Sequence, residues 1–408
     1  SLKEIFKSLL KKEFSVEDLV KFFLNRISKF NNVLNCFITI LEEEAILKAK
    51  KIDKDFKKNI NENIMSFIPF AHKDVFCTKN ILTTCASKML SNYISPYDST
   101  INRLFKKRKF ILLGKTNMDE FSMGISNETS YYGKTLNPWN INKVSGGSSG
   151  GSAAAVSARL VPFATGSDTG GSIRIPSSFC GITGIKPSYG RVSRYGMISY
   201  ASSLEQAGIM AKSAEDCSYI LEIISGFDKM DSTSSRVDVP KYSKLLNKSI
   251  NNLKILIPKE FMKNIDSNLL IIFENLIHQF IRLVAKIEYI DLYDPKLFIA
   301  VYYTLALAEC SSNLSKYDGI RYGFLTNKLG KSIDEIYFES RSNGFGDEVK
   351  NRIILGSYIL SSKHYDSFYL KAQKIRSQIY NYYISSLNET NVIMTLTSPS
   401  TAFGFNEN

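Results

Sequence analysis

The sequence predicts an α/β fold built on a buried sheet, and three observations lead there. Apolar runs of strand length, such as Phe67–Val75 and Phe110–Leu113, alternate with longer amphipathic helical patterns. The chain has 408 residues, of which 44% are hydrophobic and 22% charged, ordinary globular proportions that exclude an intrinsically disordered chain. A chain of that length buries roughly three quarters of its unfolded surface, so its core needs no disulfide or metal staple.

The first sixty residues read as helices. Ser15 with Asp18 forms a capping-box pattern, and Val16, Leu19, Val20, Phe23 and Ile27 follow on one stripe. A second helical run covers Leu41–Lys58 and is broken by the polar Asn59–Asn63. Phe67–Val75 is a mostly apolar strand with Lys73 and Asp74 near its end, Pro96–Lys109 is a helix, and Phe110–Leu113 is a second buried strand closing on Gly114. Alanine-rich Ser152–Leu160 favours helix and Val161–Ala164 favours strand. Asp228–Ser249 is polar and Lys-rich, a loop or linker. Beyond it come a strand at Leu253–Pro258, an amphipathic helix at Ser267–Ile287, a strand at Glu288–Leu292, helical patterns over Lys296–Ser385 and a last strand at Asn391–Thr397. There is no internal repeat.

Charge and composition narrow the function classes. The net charge of +13 admits an anionic partner such as nucleic acid. The chain-wide abundance of Lys, Asn, Ile, Phe and Tyr, however, is what bias toward A/T-rich codons produces. The one dense basic cluster, Arg103, Lys106, Lys107, Arg108 and Lys109, is expected on a solvated helix face. The longest apolar stretch, Phe298–Ala308, is about half a bilayer crossing, and Ser1–Glu13 interleaves Lys and Glu with its apolar residues, unlike a signal peptide. A soluble intracellular protein is therefore expected. Cys36, Cys77, Cys85, Cys180, Cys217 and Cys310 contain no CxxC pair and are expected as buried thiols. His72, His278 and His364 lack metal-ligand spacing, so no metal is expected.

The chemistry lies in Lys143–Gly196, dense in Gly and Ser. One loop, Gly146-Gly147-Ser148-Ser149-Gly150-Gly151, precedes the alanine-rich helix; another, Ser167-Asp168-Thr169-Gly170-Gly171-Ser172, follows the strand. The helix travels roughly 14 Å out and the strand roughly 13–20 Å back, so the two loops meet at one end. Consecutive glycines let backbone N–H groups converge on an anion. Phosphate cradling is one reading, but GxxxxGK[ST] and GxGxxG are both absent. Acyl transfer is the other, with Ser172 as nucleophile and the N–H groups of Thr169, Gly170 and Gly171 around an oxyanion. A serine needs a base. With histidine scarce, a buried, partly neutral lysine is the natural substitute, and Lys73, at the end of an apolar strand, is the best placed. The two-residue strand period turns His72 to the opposite face.

The stretch GGSSGGSAAAVSARLVPFATGSDTGGSIRIPSSFCGITGIKPSYGRVS resembles the signature of the amidase signature family. That resemblance implies a central mixed β-sheet covered by helices on both faces, and a single domain over residues 1–408 with a helical segment at about 1–60. It also implies a Ser–cis-Ser–Lys triad that hydrolyses amides. In it Ser172 is the acyl nucleophile, Ser148 the bridging serine with a cis peptide bond and Lys73 the base. GKTNMDEFSMG (Gly114–Gly124), NPWN (Asn137–Asn140), GRVSRYGMISYASSLEQ (Gly190–Gln206), AECSSNLSKYDGIRYG (Ala308–Gly323) and GFGDEVKNRIILG (Gly344–Gly356) are similar to the branch of the family that serves tRNA-dependent amidotransferases. That similarity implies glutamine as amide donor, with Tyr303 lining its pocket and Arg352 pairing with its α-carboxylate. It further implies the B and C subunits of such an amidotransferase as partners, and Glu-tRNA(Gln) reached through the complex. No cofactor is implied in this chain (ATP is consumed by the complex), no membrane, and a bacterial cytoplasmic or organellar matrix location. Relatives usually continue past Ser398-Pro399-Ser400, where an acidic residue would hold the substrate's α-amino group; no residue here takes that role. A stand-alone amidase of small amides and an inactive scaffold protein are the competing expectations.

Overall fold

The computed structural model describes residues 1–55, 65–251, 253–263, 265–327, 329–387 and 391–407. The end of the expected Leu41–Lys58 helix and the break at Asn59–Asn63 lie outside the described residues. Helix α1 (Leu2–Leu10) is followed by α2 (Val16–Leu34), which begins at the capping box: the Ser15 hydroxyl accepts from the Asp18 N–H and the Asp18 carboxylate from the Ser15 N–H. The expected stripe of Val16, Leu19, Val20, Phe23 and Ile27 is buried and packs on α3 (Glu42–Asp55). Between them runs β1 (Phe37–Ile40).

Strand β2 (Pro69–Lys73) is buried at every residue. Helix α4 (Thr100–Lys107) is shorter than the expected Pro96–Lys109, because Ser99 is its N-cap and accepts from the Asn102 N–H. Its basic cluster is on the solvated side, with Arg103, Lys106 and Lys107 exposed. Strand β3 (Ile111–Thr116) does not close on Gly114 but runs through it. The glycine is needed for pairing, since a Cβ there would stand 2.3 Å from the Thr39 carbonyl oxygen on β1. A short hairpin, β4 (Leu136–Asn137) and β5 (Asn140–Val144), turns at Pro138-Trp139. Then come α5 (Gly150–Ser157), β6 (Phe163–Asp168), α6 (Arg174–Phe179), β7 (Thr183–Ile185), β8 (Gln206–Ala211), α7 (Ala214–Ile224) and α8 (Tyr242–Leu245).

Six strands form one mixed sheet in the order β1-β3-β2-β6-β8-β7. The central β3, β2 and β6 are parallel, while β1 and β8 run antiparallel to their neighbours. Helix α5 packs on this sheet against β6, β2 and β8. An aromatic cluster fills the core beside it, with Phe70 4.6 Å from Phe105 and stacked on Phe163 at 5.5 Å between ring centroids.

The chain forms two compact units: Ser1–Lys244 with Asn313–Asn351 and Ala402–Asn408, and Leu245–Ser312 with Arg352–Thr401. The first crossing between them falls inside the polar Asp228–Ser249 stretch. The second unit contains β9 (Lys254–Pro258), α9 (Ser267–Arg282), β10 (Lys286–Ile290) and most of α10 (Pro295–Leu314). The chain then contributes α11 (Ile333–Gly344) to the first unit, and α12 (Asp347–Leu360) contains the next crossing. The second unit is completed by α13 (Lys371–Ser386) and β11 (Asn391–Ile393). Its sheet is a separate three-stranded parallel one, β10-β9-β11, with α9 laying Phe273 and Ile277 on Ile255 and Ile257. Helix α10, which carries the Phe298–Ala308 run, is 20 residues long and, by length and composition alone, apolar enough to cross a membrane. Val301, Leu305, Ala306, Ala308 and Cys310 on it are buried in protein. All six cysteines are buried thiols, as the sequence predicts.

Candidate active site

Parallel strands β3, β2 and β6 end at the same edge of the sheet, the edge where open α/β sheets bind ligands. Lys73 is the last residue of β2, in register with Thr116 of β3. Its side chain turns into the protein: Lys73 is fully buried, and Nζ donates to Ser148 Oγ at 2.7 Å and to Ser167 Oγ at 2.9 Å. Burial pushes the Lys73 ammonium down to about 7, against the opposing pull of the Asp119, Asp168 and Glu205 carboxylates. Among the described residues no carboxylate forms an ion pair with it. His72 faces the other side of the strand, its Nδ1 2.7 Å from Thr165 Oγ1 and its ring stacked on Phe76; burial holds it neutral.

Ser148 is presented by the loop that leads into α5. The Gly147–Ser148 peptide is cis, as the family resemblance implies. Gly147 has no room for a side chain, because a Cβ would fall 1.9 Å from Asp119 Oδ2. The Ser148 carbonyl accepts from the Asp119 N–H at 3.1 Å, and Ser148 itself is fully buried. The next residue ties this loop to the second one: the Ser149 N–H donates to the Ser172 carbonyl at 3.1 Å, and Ser149 Oγ donates to the Ser167 carbonyl at 3.2 Å.

The second loop is wrapped around a single carboxylate. Asp168 accepts from the N–H groups of Gly171 at 2.9 Å and Ile173 at 3.0 Å, and from Arg174 through Nε at 3.0 Å and Nη2 at 2.8 Å. Against the upward push of burial, Arg174 holds this carboxyl below its ordinary range. Gly171 sits at φ +136°, a backbone conformation suited to glycine. Its N–H donates to Asp168, so of the three expected oxyanion donors, Thr169, Gly170 and Gly171, the last already has a carboxylate partner. Ser172 is 9% exposed whereas Lys73 and Ser148 are at 0%, so the nucleophile candidate is the member of the group that solvent reaches. Among the described residues the Ser172 hydroxyl makes no direct hydrogen bond to Ser148; the two are linked through the Ser149 backbone.

Three participants escaped the sequence reading. Ser167 shares the Lys73 ammonium with Ser148 and lies 3.3 Å from Ser122 Oγ. Asp119 and Asp168 are the two buried carboxylates with the largest pull on Lys73. All three stand inside quoted motifs, yet nothing in their spacing tells a buried polar group from a loop residue. Tyr303 and Arg352 belong to the second unit, on α10 and α12, and the structure brings them together: the Arg352 guanidinium carbon lies 5.9 Å from the Tyr303 ring centroid.

The chain belongs to the amidase family, whose model matches residues 18–408. More narrowly, it is 50% identical over 408 residues to the A subunit of glutamyl-tRNA(Gln) amidotransferase from Nitrosococcus oceani, covering all of this chain and 84% of that protein. It is 48% identical to the protein of the same name in Coxiella burnetii (strain Dugway 5J108-111), with the same coverage. The crystal structure of the glutamyl-tRNA(Gln) amidotransferase A subunit from Thermotoga maritima superposes with a TM-score of 0.79 at 35% identity, covering 100% of this chain and 82% of that one.

Proposed function

We propose that this chain is the glutaminase component of a tRNA-dependent amidotransferase and that Lys73, Ser148 and Ser172 are its catalytic triad. The observation that carries the reading is the fully buried Lys73, held on Ser148 Oγ at 2.7 Å without an ion-pair partner among the described residues. With its pKa near 7 about half of the amine is neutral at neutral pH. A neutral amine that donates to Ser167 has a lone pair free to take the Ser148 proton, and Ser148 in turn takes the proton of Ser172.

The Ser172 oxygen then attacks the side-chain amide carbon of glutamine, and the N–H groups of Thr169 and Gly170 meet the negative oxygen that forms. Collapse breaks the C–N bond, and the proton held by Lys73 returns through Ser148 to the leaving nitrogen, releasing ammonia. Water attacks the glutamyl ester by the same relay, giving glutamate and restoring Ser172. Tyr303 and Arg352 are proposed to bind the amino-acid end, the guanidinium pairing with the α-carboxylate. The ammonia passes to the B subunit of the complex, where ATP activates the γ-carboxylate of Glu-tRNA(Gln), and a small C subunit clamps the two. The relatives named above support this assembly.

The test is Ser172→Ala in the complex assembled with the B and C subunits. Glutamine hydrolysis is expected to fall by at least about a thousandfold, and wild-type activity would overturn the reading. Robust turnover of simple amides by the purified 46.1 kDa chain alone would replace it with a stand-alone amidase.

A further inference from the structure

The charges around Lys73 are not equivalent. Asp168 is paired with Arg174 at 2.8 Å, Glu205 with Arg194 at 3.5 Å, and Asp74, next to Lys73 in the chain, with Lys115 at 2.9 Å. Each of these carboxylates is largely neutralised by its own cation. Asp119 is different. It is fully buried, and everything its carboxylate accepts from is uncharged: the Asn127 N–H at 3.0 Å, the Thr129 N–H at 3.4 Å and the Thr129 hydroxyl at 2.9 Å. Among the described residues it forms no ion pair. Gly124 and Gly147 close on it so tightly that a Cβ on either would lie within 2.3 Å of its carboxylate atoms. Its backbone N–H meanwhile holds the Ser148 carbonyl at 3.1 Å. A buried acid and a buried base, neither with an ion-pair partner among the described residues, thus stand on two sides of the Gly147–Ser148 turn.

The geometry points to Asp119 as a positioning residue for the proposed reaction: one residue that holds Ser148 through its backbone and supplies, through its carboxylate, the negative field that keeps Lys73 basic enough to accept the serine proton. The inference rests on the triad reading above. It explains why a lysine so thoroughly desolvated still operates near neutrality, since Asp119 is the strongest of the carboxylates that raise its pKa against burial, ahead of Asp168 and Glu205. Lys73 acts reciprocally on Asp119, whose own carboxyl burial pushes up. Cys85, the remaining titratable neighbour, is kept as a neutral thiol by burial, and His72 is neutral.

The experiment is the pH profile of kcat/KM for L-glutamine hydrolysis by the complex assembled with the B and C subunits. In Asp119→Asn the negative charge is gone while the shape is kept, so protonated Lys73 loses its stabilising field. The rising acid limb is expected to move by about one unit to lower pH, with a lower maximum. Asp119→Glu keeps the charge, and its limb is expected to stay at the wild-type position even though crowding by Gly124 and Gly147 lowers kcat. A merely structural role lowers activity in both variants without moving the limb. An Asp119→Asn limb that coincides with the wild type or moves upward overturns the inference. If Ser172→Ala is inactive while that limb stays put, only this inference fails; if Ser172→Ala is active, the triad reading fails with it. Should Asp119→Asn not assemble, wild-type protein labelled with 13Cγ-aspartate gives the answer. The Asp119 resonance is expected to respond at the pH where activity appears, and a flat resonance there overturns the assignment.

Discussion

A lysine ammonium moved from water to a fully buried position loses its hydration, and around Lys73 no ion pair among the described residues replaces it. The folded-state pKa of about 7 lies below the ordinary 10.5, and the direction of that shift sets how stability depends on pH. Between those two values the unfolded chain holds the proton and the native chain has released it, so stability rises with pH across that window. The destabilisation is present in full below about pH 7 and gone above about pH 10.5. Replacing Lys73 by Met removes the buried charge. The variant is expected to melt about 5 °C above the wild type at pH 6, with the gap closing toward pH 10, while its glutaminase activity is lost. Calorimetric scans at the two pH values check this, and a gap that widens with pH would contradict the buried-charge account. The site thus gives up some stability for reactivity at one named residue.

At the scale of elements, the ends of β2 and β3 are joined by a second buried lysine of opposite character. Lys115 meets Asp74 at 2.9 Å with both side chains at 0% exposure, and it donates to Thr83 Oγ1 at 2.9 Å. Asp74 also accepts from the Thr84 N–H at 2.8 Å. Here the charge is compensated, so removing one partner strands the other. Lys115→Met is expected to cost about 3–5 kcal/mol and the double change Lys115→Met with Asp74→Asn much less, read as urea midpoints at unchanged slope. Two lysines on adjacent parallel strands therefore have separate tasks, and the sequence alone distinguished only one of them. Lys73 stood out because it ends an apolar run. Lys115 follows Gly114, which was expected to close the strand, since a glycine's role in close pairing with Thr39 is invisible before the partner strand is known. The two loops were legible because repeated Gly and Ser are rare enough to carry information, and the capping box at Ser15 because its pattern is local. Strands β7 and β8 were not legible: Gln206–Ala211 is short and begins with a polar residue, and only pairing with β6 makes it a strand. Ser167 and Asp119 were missed for the same reason, their importance coming from what surrounds them and not from their neighbours in the chain.

For the whole molecule, neither unit is a continuous stretch of chain. Residues 313–351 complete the first unit: Asn313 donates to the Tyr200 carbonyl at 3.1 Å, the Gly346 N–H donates to Glu120 at 2.9 Å, and the Phe345 ring packs edge-on against Phe121 at 5.7 Å. A fragment ending at Lys244 is therefore expected to lack fixed tertiary packing although it contains all three residues of the proposed triad, with helical far-ultraviolet dichroism and a collapsed near-ultraviolet signal. A native near-ultraviolet spectrum would show that the later residues are dispensable. The buried sulfurs give this architecture a built-in reporter. Five of them belong to the first unit and Cys310 to the second, so an alkylating reagent can reach any of them only when the surrounding structure opens. Digesting the protein after timed exposure and weighing the peptides would date each opening separately, giving the order in which the two units unfold without a single mutation.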